Sequence, residues 1–486
     1  MIRRHLTPAV VSFLALLLCC LAAPAAGRAW WIPAAVALAF AGASHALLTA
    51  RIGPRPSIFL LAASAGLLLG AASQLRMSSS PDRDFLPVPA AEVSGFIATV
   101  SQDSTLTRQG DTVLRLRLES ASSDRSGISG GASGNLLLFL GGDSRFSIGQ
   151  RLLVRASLAE AVSYGPERWV ARARRADVIT AGFAGPAWAL RSEARAWLHR
   201  AVSRVGYPAS SLLEALLVGA REDVPADLYD GFLRTGSLHI LALSGLHVTV
   251  LYGAAAALLW FLRRGWQRFL AATAVLLFYQ FLAGFMPSLL RATVMIVIGG
   301  TAILLDRDQE PINVLALSGI ALLLIDPFQA FTLSFQLSFL ALAGILVLGP
   351  LIQRPLAAGL PRFLLLAVAM SAGAQAATLP LVIGAFGAWY PSGLLAALVL
   401  VPLTTGFLWA GLAWLPLSLV PWTALHDACA AAFGLFYRAI RFCAQTFSRV
   451  PGIAFPDAVL PWLAAGTGLA VLFAATVLPL KRRRPV

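Results

Sequence analysis

Apolar stretches of membrane-spanning length recur along this chain, and they limit what it can fold into before any motif is read. A bilayer core requires roughly 20 apolar residues per helix. Such runs lie at 6–26, 29–50 and 58–75, and again at 238–262, 269–285, 288–305, 312–325, 331–348, 363–386, 393–415 and 458–478. Charged residues make up 13% of the chain and hydrophobic residues 58%, whereas soluble domains carry roughly 25% charged residues. The chain therefore reads as a polytopic α-helical membrane protein of about 11 or 12 spans. The stretch 423–447 carries Arg438 and Arg441 and has the composition of a helix lying in the interface as much as of one that crosses.

Charge placement gives an orientation. The opening "MIRRH", an apolar run and "AAPAAG" imitate a cleavable signal peptide, but the run is long enough to span and two more follow, so we read it as an uncleaved first span. With Arg3 and Arg4 inside, Arg51 and Arg55 return to the cytoplasmic side, as do "RRGWQR", "QRPLAAGLPR" and the terminal "KRRR" if every intervening stretch crosses. The third span then delivers residues 77–185 outside. The net charge is +15, and of 38 basic residues only Lys481 is a lysine. Arginine suits planar phosphate contacts, although positive-inside loops account for much of the excess. Cys19, Cys20, Cys429 and Cys443 show no metal-ligand spacing.

Residues 77–185 change texture. "EVSGFIATVS", "DTVLRLRLES", "GNLLLFLG" and "IGQRLLVRASL" alternate with period two between Gly, Ser and Asp turns, and a fifth strand is expected near 177–181. Short strands in about 100 residues suit a small β-barrel, with an OB-like fold as the natural candidate. In "LRLRL" the period places Arg115 and Arg117 opposite Leu114, Leu116 and Leu118. Arg151, Arg155, Arg168, Arg172, Arg174 and Arg175 add basic surface, with Trp169, Phe139 and Phe146 as stacking candidates. Single-stranded nucleic-acid sites combine such groups, and a solvated strand face accounts for the arginines equally well.

An Arg-bearing amphipathic connector, 186–209, leads to a second membrane region, 210–486. Here "TGSLHILALSGLHV" (235–248) sets His239, Ser244 and His247 among Gly236, Gly245 and apolar residues. On a continuous helix the two histidines would stand about 12 Å apart along the axis and about 80° around it, so one compact metal site is not expected. No spacing among the other histidines supplies further zinc ligands. Ser244 lacks the preceding glycine of a nucleophile elbow. A buried polar cluster at a helix break remains, facing a bundle interior or a hydrated path. Arg291 in "MPSLLRATVM", Gln336 and Ser338 in "SFQLSF", and Gln375 before the helix-breaking Pro380 extend the pattern. Singly they are polar helix contacts; together they fit a hydrated pathway, with Ser288 or Gln336 expected as acceptors for Arg291.

"LLEALLVGAREDVPADLYDGFLRTGSLHILALSGLHV", "LLRATVM", "DPFQAFTLSFQLSFLALAGI", "AQAATLPL" and "PSGLLAALVLVPL" follow in order and resemble the signatures of the ComEC family of competence membrane proteins. The resemblance implies an inner-membrane, multi-pass channel, not an enzyme, that carries single-stranded DNA into the cytoplasm during natural transformation. It implies an extracytoplasmic OB-like domain, an external DNA receptor, and a cytoplasmic motor or DNA-binding proteins as partners; a homo-oligomer stays open, and no cofactor or metal is implied. Gly219, Arg221, Thr235, Gly236, His239, Ser244, Gly245, His247, Arg291, Gln336, Ser338 and Gln375 are its candidate channel residues. Many members continue into a metallo-beta-lactamase-like domain, whose HxHxDH motif does not occur here, so no nuclease activity is expected of this chain. Ala397 stands near a position where the family often has asparagine, and "SYGPERWVARARRADVI" follows the usual pattern loosely. A secondary transporter for a small anionic solute and an intramembrane hydrolase are the alternatives.

Overall fold

The computed structural model describes residues 12–17, 65–70, 85–106, 111–142, 144–160, 169–284, 286–307, 310–356 and 361–455. Apart from helical pieces at 12–17 and 65–70, the expected N-terminal spans lie outside the described residues, as do Arg168, the expected span at 458–478 and the terminal "KRRR".

The extracytoplasmic candidate is a β-domain. Its strands are β1 (Gly95–Val100), β2 (Thr105–Leu106), β3 (Thr112–Ser122), β4 (Ser129–Gly131), β5 (Asn135–Leu140), β6 (Gln150–Val154), β7 (Leu158–Glu160), β8 (Trp169–Ala173) and β9 (Val178–Phe183). The expected fifth strand near 177–181 is β9, whereas β2, β4, β7 and β8 are additions. They pair in the order β7-β8-β5-β3-β1-β6-β9, with β2 and β4 on β3. β5 and β8 run parallel; β1, β3 and β6 pair antiparallel. The expected small β-barrel, closed or nearly closed, is corrected to a sheet that does not close. β8 takes β7 as its second neighbour and β6 takes β9, so the path ends in two edges and does not close.

Period two decides the faces. Leu114, Leu116 and Leu118 are buried with Leu136, Leu138, Leu140, Leu152 and Val154, while Arg115 and Arg117 are exposed. Each buried leucine contributes about 1.5–3 kcal/mol relative to exposure. A one-residue slip of β3 would exchange those leucines for arginines, which holds the register.

The helices are α1 (Pro186–Ser203), α2 (Ala209–Val218), α3 (Ala226–Arg234), α4 (Gly245–Leu258), α5 (Gly265–Ala283), α6 (Pro287–Leu304), α7 (Pro311–Ile325), α8 (Leu333–Leu356), α9 (Arg362–Phe386), α10 (Gly393–Leu417) and α11 (Thr423–Phe447). Proline opens α1, α6 and α7, where its missing N–H costs no helical bond. Among the described residues five stretches are long and apolar enough to cross a membrane: Leu238–Leu258, Pro287–Leu304, Leu333–Gln353, Arg362–Phe386 and Gly393–Leu417. The chain is thus a multi-pass membrane protein. The expected span at 312–325 is α7, whose 15 residues reach about 22 Å and fall short of the roughly 30 Å hydrocarbon core. α5 occupies the expected 269–285 but falls outside the five. α8 and α9 pack so closely that a Cβ on Gly344 would come within 2.2 Å of the Gly373 carbonyl, the small-residue contact that lets membrane helices approach. α11 buries Phe433, Tyr437, Ile440 and Ala444 on one stripe, and Arg441 Nε donates to Asp227 of α3 at 2.6 Å.

The β-domain is fastened to the helices by an ion cluster. Arg191 of α1 is almost fully buried and makes a two-pronged contact with Asp103, Nη1 to Oδ1 at 2.9 Å and Nη2 to Oδ2 at 2.7 Å. Arg195 Nη1 donates to the same carboxylate at 2.6 Å, and the Ile148 N–H adds a fourth bond at 2.8 Å. Burial raises the Asp103 carboxyl, but hydrogen bonding and charge from Arg191 and Arg195 outweigh it and hold the group below the usual carboxylate range. A depressed folded-state value contributes stability that is fully present above the unfolded value, about pH 3.9, and is lost as pH falls through the folded value. The clamp is therefore insensitive to pH near neutrality and loosens only in strong acid. Asp103→Asn leaves two buried guanidinium groups short of a counter-charge, at an expected cost on the order of 3 kcal/mol. A melting curve of the purified chain should show a lowered midpoint, and an unchanged one would contradict the clamp.

Candidate functional site

The stretch 235–248 is not one helix. α3 ends at Arg234, Gly236 turns the chain at φ +65°, a 3-10 turn covers Leu238–Ile240, and α4 begins only at Gly245. Ser244, extended at φ −117° and ψ 170°, is the N-cap. His247, at the third helical position, folds back on it: its Nδ1 accepts the Ser244 backbone N–H at 3.0 Å and lies 2.9 Å from Ser244 Oγ. A backbone N–H can only donate, so the neutral ring carries its proton on Nε2. The ring is buried, and it satisfies a backbone donor that the helix leaves orphaned. His239 sits in the 3-10 turn at a position exposed as a residue, its ring hydrogen-bonded to the Gly236 backbone, while Ile240 and Leu241 beside it are buried. The two histidines thus have different environments: one caps a helix start and the other opens onto accessible space.

Two distant segments, around Gly219 and at the start of α6, converge on this helix start. Ser288 Oγ donates to the Leu243 carbonyl at 2.5 Å. Gly219, left-handed at φ +78°, lies where a Cβ would approach both Leu243 and Met286 at 3.1 Å. A Cβ on Gly245 would sit 3.2 Å from Arg291 Nη2, so glycine here admits the guanidinium to the first turn of α4. Arg291 stacks 5.9 Å from the centre of the Phe339 ring, and its buried Nε has no hydrogen-bond partner among the described residues. Of the expected acceptors, the Ser288 hydroxyl gives its proton to the Leu243 carbonyl and Gln336 Nε2 donates to the Ala330 carbonyl at 2.8 Å, bonds that use donors and leave the acceptor oxygens of both side chains uncommitted by them. Arg221, two residues after Gly219, likewise has a buried Nε without a partner among the described residues. Ser338 is half-buried on α8 beside Phe339.

A second group gathers at the start of α10. Thr235 is fully buried with Oγ1 on the Phe232 carbonyl at 3.0 Å. Its own carbonyl lies 2.7 Å from where a Cβ on Gly393 would be, and Gln375 Nε2 lies 3.7 Å from the same point. Gly236 faces Tyr390 in the same way at 3.5 Å. Gln280 was missed by sequence reasoning, although it interrupts an apolar run much as Arg291 does. It is fully buried on α5 and its amide donates to the Thr293 hydroxyl of α6.

On the β-domain the register sets Thr99 between Arg117 and Arg151, Arg115 opposite Leu137, and Phe139 between Val113 and Arg172. Arg115, Arg117, Arg151 and Arg172 therefore share the outer face with half-buried Leu137, Phe139 and Val170, and exposed Arg155 follows β6. Arg151 is paired with Glu119 at 2.5 Å. Burial raises the Glu119 carboxyl, but bonds from Thr99 and Arg151 prevail and hold it low. Trp169 and Phe146 are buried in the domain core, so neither ring is offered for stacking. Arg175 instead covers the Phe146 ring at 5.3 Å.

A family model described as "Competence protein" matches residues 216–483, more than half of the chain. The chain belongs to the ComEC family of competence proteins. Its convergent segments, from Gly219 through Gly393, all lie within the matched residues. ComE operon protein 3 of Bacillus subtilis (strain 168) is 35% identical over 133 residues, 27% of this chain and 17% of that protein. An uncharacterized protein of Aquifex aeolicus (strain VF5) is 33% identical over 134 residues, 27% of this chain and 32% of the relative. The uncharacterized protein YcaI of Escherichia coli (strain K12) is 29% identical over 148 residues, 29% of this chain and 20% of the relative. The matched region thus spans less than a third of each curated relative. No solved structure matches the chain.

For this ComEC-family chain, Gly219→Ala is expected to cost about 1–2 kcal/mol from the left-handed backbone alone, beyond any clash with Leu243. Gly253, which meets nothing within 4 Å of its would-be Cβ, is the control, and Gly253→Ala should leave the melting midpoint unchanged or raise it. Equal midpoints for the two variants would contradict the packing described.

Proposed function

We propose that this chain is the inner-membrane conduit through which single-stranded DNA reaches the cytoplasm during natural transformation. The observation that carries the reading is Arg291. A guanidinium within a span costs about 2.5–3.5 kcal/mol on insertion scales, and this one lies against the first turn of α4, where the helix dipole is itself positive. Its Nε has no protein acceptor among the described residues. A cation at a positive helix end calls for an anion, and a phosphodiester passing along the helix break supplies one transiently. Exposed His239 and the neighbouring Gly236 extend the polar surface.

The β-domain is read as OB-like. In support, β1, β3, β5, β6 and β8 form the central path, with one parallel pair and an incomplete closure, as in a partly open five-stranded Greek-key barrel. Its Arg115, Arg117 and Arg172 face, with Phe139, is the surface proposed to receive the strand, and an external receptor and a cytoplasmic motor or DNA-binding proteins are the partners proposed at either end. A homo-oligomer is compatible with this reading.

One observation favours the hydrolase alternative: Ser244 Oγ lies 2.9 Å from His247 Nδ1. That nitrogen already accepts the Ser244 backbone N–H, and a base whose lone pair caps a helix is a poor acceptor for a nucleophile's proton. We therefore take the chain to be a conduit and not an enzyme.

Arg291→Gln, expressed in a transformable host lacking its own channel, is expected to abolish uptake of labelled DNA at normal membrane abundance, while Arg291→Lys, which keeps charge but loses the planar fork, retains part of it. Loss of abundance in proportion to uptake for both variants would make Arg291 structural. Separately, single-stranded DNA binding by the purified chain should weaken with salt at a slope of about 0.7 per contacted phosphate. Replacing Arg115, Arg117 and Arg155 together should flatten the slope, and an unaltered slope would remove this face from the binding surface.

A further inference from the structure

α1 touches the ends of two membrane helices. At the last turn of α5, Arg191 Nε donates to the Phe281 carbonyl at 2.7 Å and Arg195 Nη1 to the Leu282 carbonyl at 3.4 Å. At the C-terminal end of α10, Trp414 Nε1 donates to the Ala201 carbonyl at 2.9 Å, and Arg204, just past α1, donates to the Ser418 carbonyl. Three arginines thus meet carbonyls that the two helices cannot satisfy internally, at the negative ends of their dipoles. A helix that lies across two such ends runs along the boundary of the apolar layer.

The outward surface of α1 has a composition that this placement explains. Leu190 (59% exposed) and Trp197 (40%) stand seven residues apart and form one stripe. On a helical wheel this stripe neighbours Ala201 and Arg204, the residues that contact α10, so it borders α10's end. Around that end Leu419, Val420 and Trp422 are exposed, and Tyr207 after α1 is 73% exposed. Glu193, three residues after Leu190 and four before Trp197, borders the stripe beside Arg200, and His199 and Ser203 occupy the remaining exposed arc. Trp beside apolar residues, with an arginine next to it, is what a bilayer interface selects: rings at the level of the glycerol groups and a guanidinium among phosphates.

We propose that α1 is a membrane-surface helix whose Leu190–Trp197 stripe, together with Trp422, inserts among phospholipid headgroups, with Arg200 facing their phosphates. The opposite side of the helix holds Asp103 of the β-domain, so the same element that rests on the lipid fixes the height of that domain above it. This assignment is independent of what passes through the protein.

The test uses the full chain, with its four cysteines replaced by serine, incorporated one copy per nanodisc of phosphatidylethanolamine and phosphatidylglycerol. An environment-sensitive fluorophore is attached at Trp197→Cys or, as a control on the opposite exposed arc, at Ser203→Cys. Lipids brominated near the carbonyl end of the acyl chain are expected to quench the probe at 197 and not at 203, whereas aqueous iodide quenches 203 more strongly. Quenching at 197 by iodide alone would overturn the proposal. Shielding at 197 from both quenchers, appearing only when two copies share a disc, would assign the stripe to a second copy and overturn it equally. A probe at Leu258→Cys, on an exposed apolar position of a membrane span, confirms that the lipid quencher is active in every disc.

Discussion

A guanidinium held against the positive end of a helix organises the interior of this protein. Arg291 Nη2 lies 3.2 Å from where a Cβ on residue 245 would sit, so glycine there leaves it room against α4. α4 starts there because the chain is broken between Arg234 and Gly245, and the break is tolerated because its polar groups are answered locally. His247 accepts the Ser244 N–H, Ser288 donates to the Leu243 carbonyl, and Thr235 bonds back to Phe232. Irregular backbone at membrane depth survives only where it is so satisfied or lines a hydrated space. Arg291, like Arg221 after Gly219, has a buried Nε that finds no acceptor among the described residues, and this asymmetry between a settled backbone and unanswered guanidinium groups is the basis of the proposed polyanion path.

The rigid frame around this site comes from a different solution to the same problem of unsatisfied ends. α1 supplies Arg191 and Arg195 to α5 and Arg204 to α10, and Arg191 and Arg195 simultaneously hold Asp103. α5 is followed at once by the turn that positions Ser288 and Arg291. The β-domain, the connector and the helix break are thereby linked through consecutive packed elements, so the β-domain cannot tilt freely without disturbing the start of α6.

How much of this was legible in the sequence depended on whether the cause was local. Alternation in "LRLRL" is a property of five neighbouring residues, and it placed Arg115 and Arg117 correctly opposite the leucine core. The polar interruptions at Gly236, Ser244, Gly245 and Arg291 were visible for the same reason. Closure of the β-domain was not legible, because it depends on which neighbour β8 takes across a long separation. The role of His247 was not legible either: a histidine as helix cap differs from a histidine in a cavity only by where the helix begins. Trp169 and Phe146 look like stacking platforms by type, yet each falls on the buried face. Gln336 and Ser288 could be named as polar neighbours by type, but that their donors go to the Ala330 and Leu243 carbonyls depends on packing that the sequence does not display.

The central claim is that the helix break beside Arg291 faces DNA in transit. Its most direct measurement is site-specific cross-linking. Cysteines at Ser244 and His239, with controls at the exposed apolar positions Leu258 and Leu270, would be challenged with single-stranded DNA carrying thiol-reactive backbone groups and arrested midway through uptake. The account predicts covalent adducts at 244 and 239 and none at 258 or 270. Adducts absent from 244 and 239, or equal at all four positions, would contradict it.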